Sequence, residues 1–297
     1  MTVGFKRKFD FSCGIAVCWN IIRANERGES LFLERRTMIL QYRISNYMSI
    51  GHMVEFKMIS RRTQLETTRE KLGVLYKSVL YGPEATGKSC FLDSIRFLRD
   101  FVLTGKWIKI ERFAGDAKGM ERKTTFQITF LAEGKIYEYG VTLDTRKILE
   151  EWLLIHNDDT SFEPLFKRQI TEIEGVFGKV SVKPRQLFLY VLAENGEQQI
   201  EPVVNWFQSI VIVNADDHYQ MERLKGNRGE IYLVDNADQL SVKKGAELFR
   251  YFSNRGKECQ VICTAQESLA DVKAFLPNEI WFIAKRNDET ILNNSVL

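Results

Sequence analysis

Eight consecutive residues constrain this chain more than any others. Gly82-Pro83-Glu84-Ala85-Thr86-Gly87-Lys88-Ser89 satisfies G-x-x-x-x-G-K-[ST] at every fixed position. Glycines let such a loop turn its backbone N–H groups inward onto phosphate oxygens. The lysine reaches the β and γ phosphates, and the terminal hydroxyl supplies a magnesium ligand. The flanks fit the same use. Val74 to Tyr81 is an apolar, strand-like run, and Lys88 to Leu103 carries Phe91, Ile95, Leu98 and Val102 on one helical face. A helix opening at the loop adds the positive end of its dipole to the same anion. Gly82, Pro83, Glu84, Ala85, Thr86, Gly87, Lys88, Ser89 and the adjoining Cys90 are therefore the expected nucleotide-binding set.

A loop of this kind needs a second strand that ends in an acid close to the magnesium. Ile231-Tyr232-Leu233-Val234-Asp235 meets the requirement, so Ser89 and Asp235 are the expected metal-binding pair. Downstream the pattern alternates, with helix expected over Val242 to Asn254, strand over Gln260 to Thr264, helix over Glu267 to Phe275 and strand over Glu279 to Lys285. Such alternation implies parallel strands joined by crossover helices. Upstream, Ile39 to Ile44 and Met53 to Ile59 read as a hairpin, and residues 61–72 as a polar surface connection. Between the two α/β parts lie three β-rich stretches, Thr124 to Leu131, Lys135 to Leu143 and Lys147 to His156. They are separated by the turn signals Glu133-Gly134 and Asp144-Thr145-Arg146, and a helical or irregular region follows from Lys183 to Asn205. The expected fold class is α/β, a P-loop NTPase with a mainly parallel sheet and an inserted antiparallel β subdomain. In that partition 38–112 and 205–297 form the core and 113–204 the insertion.

Charge and cysteine content exclude several classes. The chain has 42 basic and 39 acidic side chains, but residues 1–37 hold seven basic and four acidic ones, leaving the other 260 residues balanced at 35 of each. Such a body carries no compositional sign of a nucleic-acid surface. Five scattered cysteines form neither a disulfide framework nor a zinc spacing, which fits a reducing cytoplasm, and no uncharged apolar run is long enough to span a membrane. The apolar stretch Phe11 to Ile22 follows Lys6-Arg7-Lys8, yet Asn20 interrupts it and no small-residue cleavage site follows, so a secretory signal is set aside. Glu34-Arg35-Arg36-Thr37-Met38 can be encoded by GAA-AGG-AGG-ACA-ATG, a bacterial ribosome-binding sequence ahead of a start codon. The expectation is that Met38 is the natural start and 1–37 a translated leader; codons other than AGG at Arg35 and Arg36 would remove it.

Other constellations have plainer explanations. His52, His156 and His218 are too scattered for a metal site. Asp216-Asp217-His218 reads as a solvated loop. The basic residues between Lys106 and Lys123, with Trp107 and Phe113 among them, are diluted by Glu111, Asp116 and Glu121. Trp206, Phe207, Trp281 and Phe282 read as core.

With both phosphate-site motifs placed, the chain resembles the ABC-type AAA family ATPases, relatives of RecF and SMC heads found beside bacterial phage-defence and abortive-infection genes. The resemblance covers most of 38–297. It rests on Tyr42-Arg43-Ile44-Ser45-Asn46-Tyr47, on Leu80-Tyr81-Gly82 through Ser89, and on Phe97-Leu98-Arg99-Asp100-Phe101-Val102. Further support comes from Tyr137 to Asp144, Ile148 to Leu153 and Glu279-Ile280-Trp281-Phe282. It implies ATP and Mg2+ as ligands, self-association through heads that sandwich ATP, and an effector protein from a neighbouring gene. Departures from the family pattern concern hydrolysis. Asn236 stands where the family has its water-activating glutamate, and Ala265 where it has a histidine. Met48 replaces an arginine, Glu84 replaces a loop asparagine, and no serine-glycine signature lies between Asn214 and Gly229. Asn236 and Gln266 are then the expected hydrolysis-site residues, Gln266 being the polar group left to orient water. The resemblance implies an ATP-binding protein with weak hydrolysis, serving as a nucleotide-dependent sensor or assembly module in a bacterial defence system. A non-hydrolysing nucleotide-gated scaffold and a decayed family member are the alternatives.

Overall fold

The computed structural model describes residues 36–59, 74–115, 122–156, 162–178, 180–217, 223–225, 227–239, 259–266 and 275–294. In chain order the elements are β1 (Met38–Ser45), β2 (Val54–Lys57), β3 (Lys77–Tyr81), α1 (Lys88–Thr104), β4 (Thr124–Ala132), β5 (Lys135–Leu143), β6 (Ile148–His156), β7 (Phe162–Gln169) and β8 (Glu172–Gly175). They continue with α2 (Phe188–Glu194), α3 (Glu201–Gln208), β9 (Ile210–Asn214), β10 (Ile231–Asp235), β11 (Gln260–Ala265), β12 (Ile280–Arg286) and β13 (Glu289–Asn294). The helices expected over Val242 to Asn254 and over 267–274, the connection 61–72 and residues 1–35 of the expected leader lie outside the described residues. Two residues before Met38, Arg36 is buried, with its guanidinium 5.2 Å from the centre of the Tyr76 ring. Among the described residues no helix is long and apolar enough to cross a membrane.

Two sheets result, and the larger one corrects the expected fold class. It has seven strands in the order β2-β1-β4-β5-β6-β7-β8, and every pairing in it is antiparallel. The hairpin β1-β2 was expected in the parallel core. Instead β1 pairs with β4 from Met38 opposite Leu131 to Ser45 opposite Thr125, so the hairpin extends the meander. Short links between consecutive strands permit only antiparallel neighbours, and β4 is buried at nearly every position, so it needs a partner on each edge. The turn at Glu133-Gly134 has positive φ at both residues, 49° and 76°, the geometry that matches strand twist in a two-residue hairpin. At the next turn the Asp144 carboxylate accepts from the Arg146 and Lys147 amides, at 2.6 and 2.8 Å.

The second sheet has the order β13-β12-β3-β11-β10-β9. Strands β9 to β12 and β3 run parallel, as the alternation implied, and β13 returns antiparallel to β12. Strands β7, β8, β9 and β13 were not expected. Helix α1 lies between the sheets. Its buried Phe91, Leu92, Ile95, Leu98, Phe101 and Val102 share one core with Ile39, Tyr42 and Phe126 of the antiparallel sheet and Leu80, Leu233 and Ile262 of the parallel one. Tyr42 meets Phe91 edge-on at 5.5 Å and donates its hydroxyl to Ser94 Oγ at 2.9 Å. Gly105, at φ 61°, ends the helix and donates its N–H to the Phe101 carbonyl. Trp206, Phe207 and Trp281 are core as expected, but Phe282 is 44% exposed and leans edge-on against Tyr81.

Polar groups join the layers. The buried Gln260 side chain accepts from Ile39 N at 2.7 Å and donates to the carbonyls of Ile39 and Leu75, so the end of β11 is tied to β1. Glu151 and Arg168, both without solvent exposure, pair at 3.3 Å inside the meander. Glu151 also accepts from the N–H groups of Phe188 and Leu189 at 2.7 and 3.0 Å, which satisfies the first amides of α2. Burial pushes the Glu151 carboxyl upward, and Arg168 and those amides pull it back toward the charged form.

Candidate functional site

The phosphate-type loop joins β3 to α1 at the C-terminal edge of the parallel sheet, the usual place for a ligand in such sheets. Gly82 donates its N–H to the Ala265 carbonyl at 3.3 Å, and a Cβ there would lie 2.0 Å from the Ile283 carbonyl oxygen. Packing against β12 therefore demands the first glycine independently of any ligand. Ala85 and Gly87 have φ of 60° and 101°. Such successive left-handed turns are what bring neighbouring N–H groups to face one concavity. The Thr86 hydroxyl donates to the Pro83 carbonyl at 2.8 Å and closes the loop. Glu84 is exposed at its tip, and Cys90 is half-buried in the first turn of α1. Lys88 is buried, and its Nζ donates to the carbonyls of Gly82 and Pro83 at 2.7 and 2.6 Å.

The fold brings together the two expected metal ligands from opposite ends of the sequence. Ser89 Oγ lies 3.2 Å from Asp235 Oδ1. One hydroxyl and one carboxylate, both hard oxygen donors, suit magnesium shared with substrate phosphates. Asp235 is held in place by the Thr264 hydroxyl, which donates to the same oxygen at 2.5 Å, and by the Asn236 amide at 3.2 Å. The Thr264 oxygen in turn accepts from Asn236 N at 2.9 Å.

Asn236 turns the chain after β10 with φ 56°, a conformation asparagine tolerates better than most residues. Its Nδ2 donates to Asp216 Oδ2 at 2.8 Å and lies 3.4 Å from Asn214 Oδ1. Gln266 is half-buried directly after Ala265, whose carbonyl meets Gly82 and whose side chain is buried. Met48, at the arginine position, has φ 47° and donates its N–H to the Glu111 carbonyl.

Sequence reasoning missed four contributors. Thr264 precedes the expected histidine position and had no local mark. Asp216 was set aside as a solvated charge. It is exposed, but it is held by Asn236; His218 lies outside the described residues. Ser49 and Thr290 clamp the loop from two distant segments. The Thr290 hydroxyl donates to the Thr86 carbonyl at 2.9 Å and lies 2.8 Å from Ser49 Oγ. Both oxygens pass so close to Gly87 that a Cβ there would be 2.1 and 2.7 Å from them. In the basic stretch after α1, residues 116–121 are outside the described set, while Ile110 and Phe113 are buried and Trp107 packs edge-on against Phe101.

Known proteins resemble this chain in part. Residues 77–187, from β3 to the residue before α2, match the family described as "AAA domain, putative AbiEii toxin, Type IV TA system". No curated protein matches the chain. Among solved structures, the SMC head domain from Thermotoga maritima is 12% identical, with a TM-score of 0.49, over 86% of this chain and 98% of that one. The SmcHead bound to the C-winged helix domain of ScpA is 13% identical, with a TM-score of 0.44, over 86% of this chain and 97% of that one.

Proposed function

We propose that this chain binds ATP with Mg2+ in the Gly82–Ser89 loop and hydrolyses it slowly, using the bound nucleotide to control assembly. The observation that carries this reading is the 3.2 Å approach of Ser89 to Asp235 beside the loop. In it, the loop N–H groups between Gly82 and Cys90 receive the phosphates, and Lys88 exchanges its carbonyl partners for β and γ oxygens. Magnesium, when bound, neutralises phosphate charge, and Ser89 and Asp235 are the groups that would hold it. Asn236 cannot accept a proton, so turnover is weak, and Gln266 orients water from the end of β11. Self-association through the nucleotide face, a cytoplasmic location, an effector from a neighbouring gene and service in a bacterial defence system extend the reading. The AAA-domain match over 77–187 supports that extension.

The amide at Asn236 favours a second reading, a nucleotide-gated binding module that does not turn over. Phosphate release separates the two. The test common to both is thermal stabilisation by Mg-ATP. Saturating ligand at about 100 times Kd adds about 2.7 kcal/mol to the parent, and Lys88→Ala is expected to lose the shift. Equal shifts in parent and variant would refute nucleotide binding at this loop.

A further inference from the structure

Strand β9 brings a carboxylate beside the end of β10. Asn214 pairs in register with Asp235, and the Ala215 amide donates to the Asp235 carbonyl at 2.9 Å, so the chain leaving β9 is fastened to the end of β10. The Asp216 amide is turned inward by Asn214 Oδ1 at 3.1 Å, and its carboxylate is gripped by Asn236 Nδ2 at 2.8 Å. That grip occupies one oxygen of Asp216. Asp216 is exposed, and among the described residues no cation pairs with it.

Other acids near the loop are differently placed. Asp235 Oδ1 already takes Ser89, Thr264 and the Asn236 amide. Glu84 is exposed at the loop tip. Asp238, in the short turn after β10, is half-buried with its Oδ1 enclosed, and its charge acts on the buried Cys263 thiol, which lies on the face of the parallel sheet away from α1. Gln266 has no basic atom at neutral pH. We propose that Asp216, positioned by Asn236, is the proton acceptor for ATP hydrolysis in this chain, a catalytic role resting on the slow-hydrolysis reading above. As the water oxygen bonds to the γ phosphorus, its proton passes to the Asp216 carboxylate. The bond from that phosphorus to the β,γ-bridging oxygen breaks, and its electron pair leaves on ADP. Asn236 then acts through its amide as the positioning residue rather than as a defective base.

The full-length chain tests this with fluorescent ATP and ADP analogues for affinity and single-turnover phosphate release for rate. Asp216→Asn is expected to lower phosphate release by about 10²-fold or to the Lys88→Ala level, the scale of a lost general base. Its ADP affinity should stay within about threefold, while ATP affinity rises severalfold because a like charge facing the γ phosphate is gone. A purely structural role would weaken both nucleotides together. Asn236→Glu alone should not accelerate release, because its carboxylate would face Asp216 across the present 2.8 Å contact. Asn236→Glu with Asp216→Asn should exceed Asp216→Asn alone. Parent-like release by Asp216→Asn, a joint loss of ATP and ADP affinity, or a parent that binds ATP but releases no more phosphate than Lys88→Ala would each overturn the assignment. A parent that binds neither nucleotide would refute the ATP-binding reading itself, a separate result.

Discussion

Replacing Thr290 with valine removes one buried hydroxyl while keeping the side chain's shape. Thr290 is 2% exposed, and its oxygen joins Thr86 O at 2.9 Å and Ser49 Oγ at 2.8 Å. The Thr86 carbonyl belongs to a buried residue and would lose its side-chain donor. Ser49 is half-buried and can turn to water, so its loss is smaller. One buried acceptor left without its partner costs about 1–3 kcal/mol. In a chain of this size that lowers the melting temperature by about 2–4 °C per kcal/mol, hence about 4–8 °C for 2 kcal/mol. The same loss frees the loop beside Gly87, so Mg-ATP must order it on binding; an ordering cost of about 1 kcal/mol weakens affinity about fivefold. Thr290→Ser keeps the oxygen and should retain most of the affinity. Differential scanning fluorimetry and a nucleotide titration on the three proteins give the answer. If the valine variant melted and bound with the parent, or serine and valine variants behaved alike, the clamp would have no energetic role.

Two further perturbations probe the buried charges. Glu151→Gln leaves Arg168 without its counter-charge in a site with no solvent exposure and should cost about 3–5 kcal/mol in urea unfolding; adding Arg168→Met should not restore it, because the carbonyls of Ile170, Gln186 and Lys183 would lose their donor. Burial, followed by the nearby Asp238, pushes the Cys263 thiol up to about 12. Because this folded value lies above the ordinary 9.0, the stabilisation is complete below pH 9 and is lost as pH rises toward 12. The urea midpoint should therefore fall between about pH 8 and about pH 10.5, with a shallower fall in Cys263→Ala. Identical slopes would contradict this assignment.

What the sequence determined by itself was local. The loop, the helix that follows it and the strand ending in Asp235 are contiguous stretches whose steric and chemical demands act within a few residues. Gly87 needs positive φ, α1 needs one apolar face, and Glu133-Gly134 needs a tight hairpin turn, so each left a readable pattern. Partner choice was different. The alternation in β1 suits either a parallel or an antiparallel neighbour, and only the shared core over α1 seated it against β4, correcting the expected mainly parallel sheet. The contacts that finish the site join Ser49 to Thr290, Thr264 to Asp235 and Asp216 to Asn236, across 241, 29 and 20 positions. No periodicity spans such distances. Those groups meet because β9, β10, β11 and β3 run parallel and deliver their C-terminal ends to one edge, while the antiparallel β13 returns Thr290 to the same place. Strand order decides that geometry, and strand order is set when the two sheets close on α1.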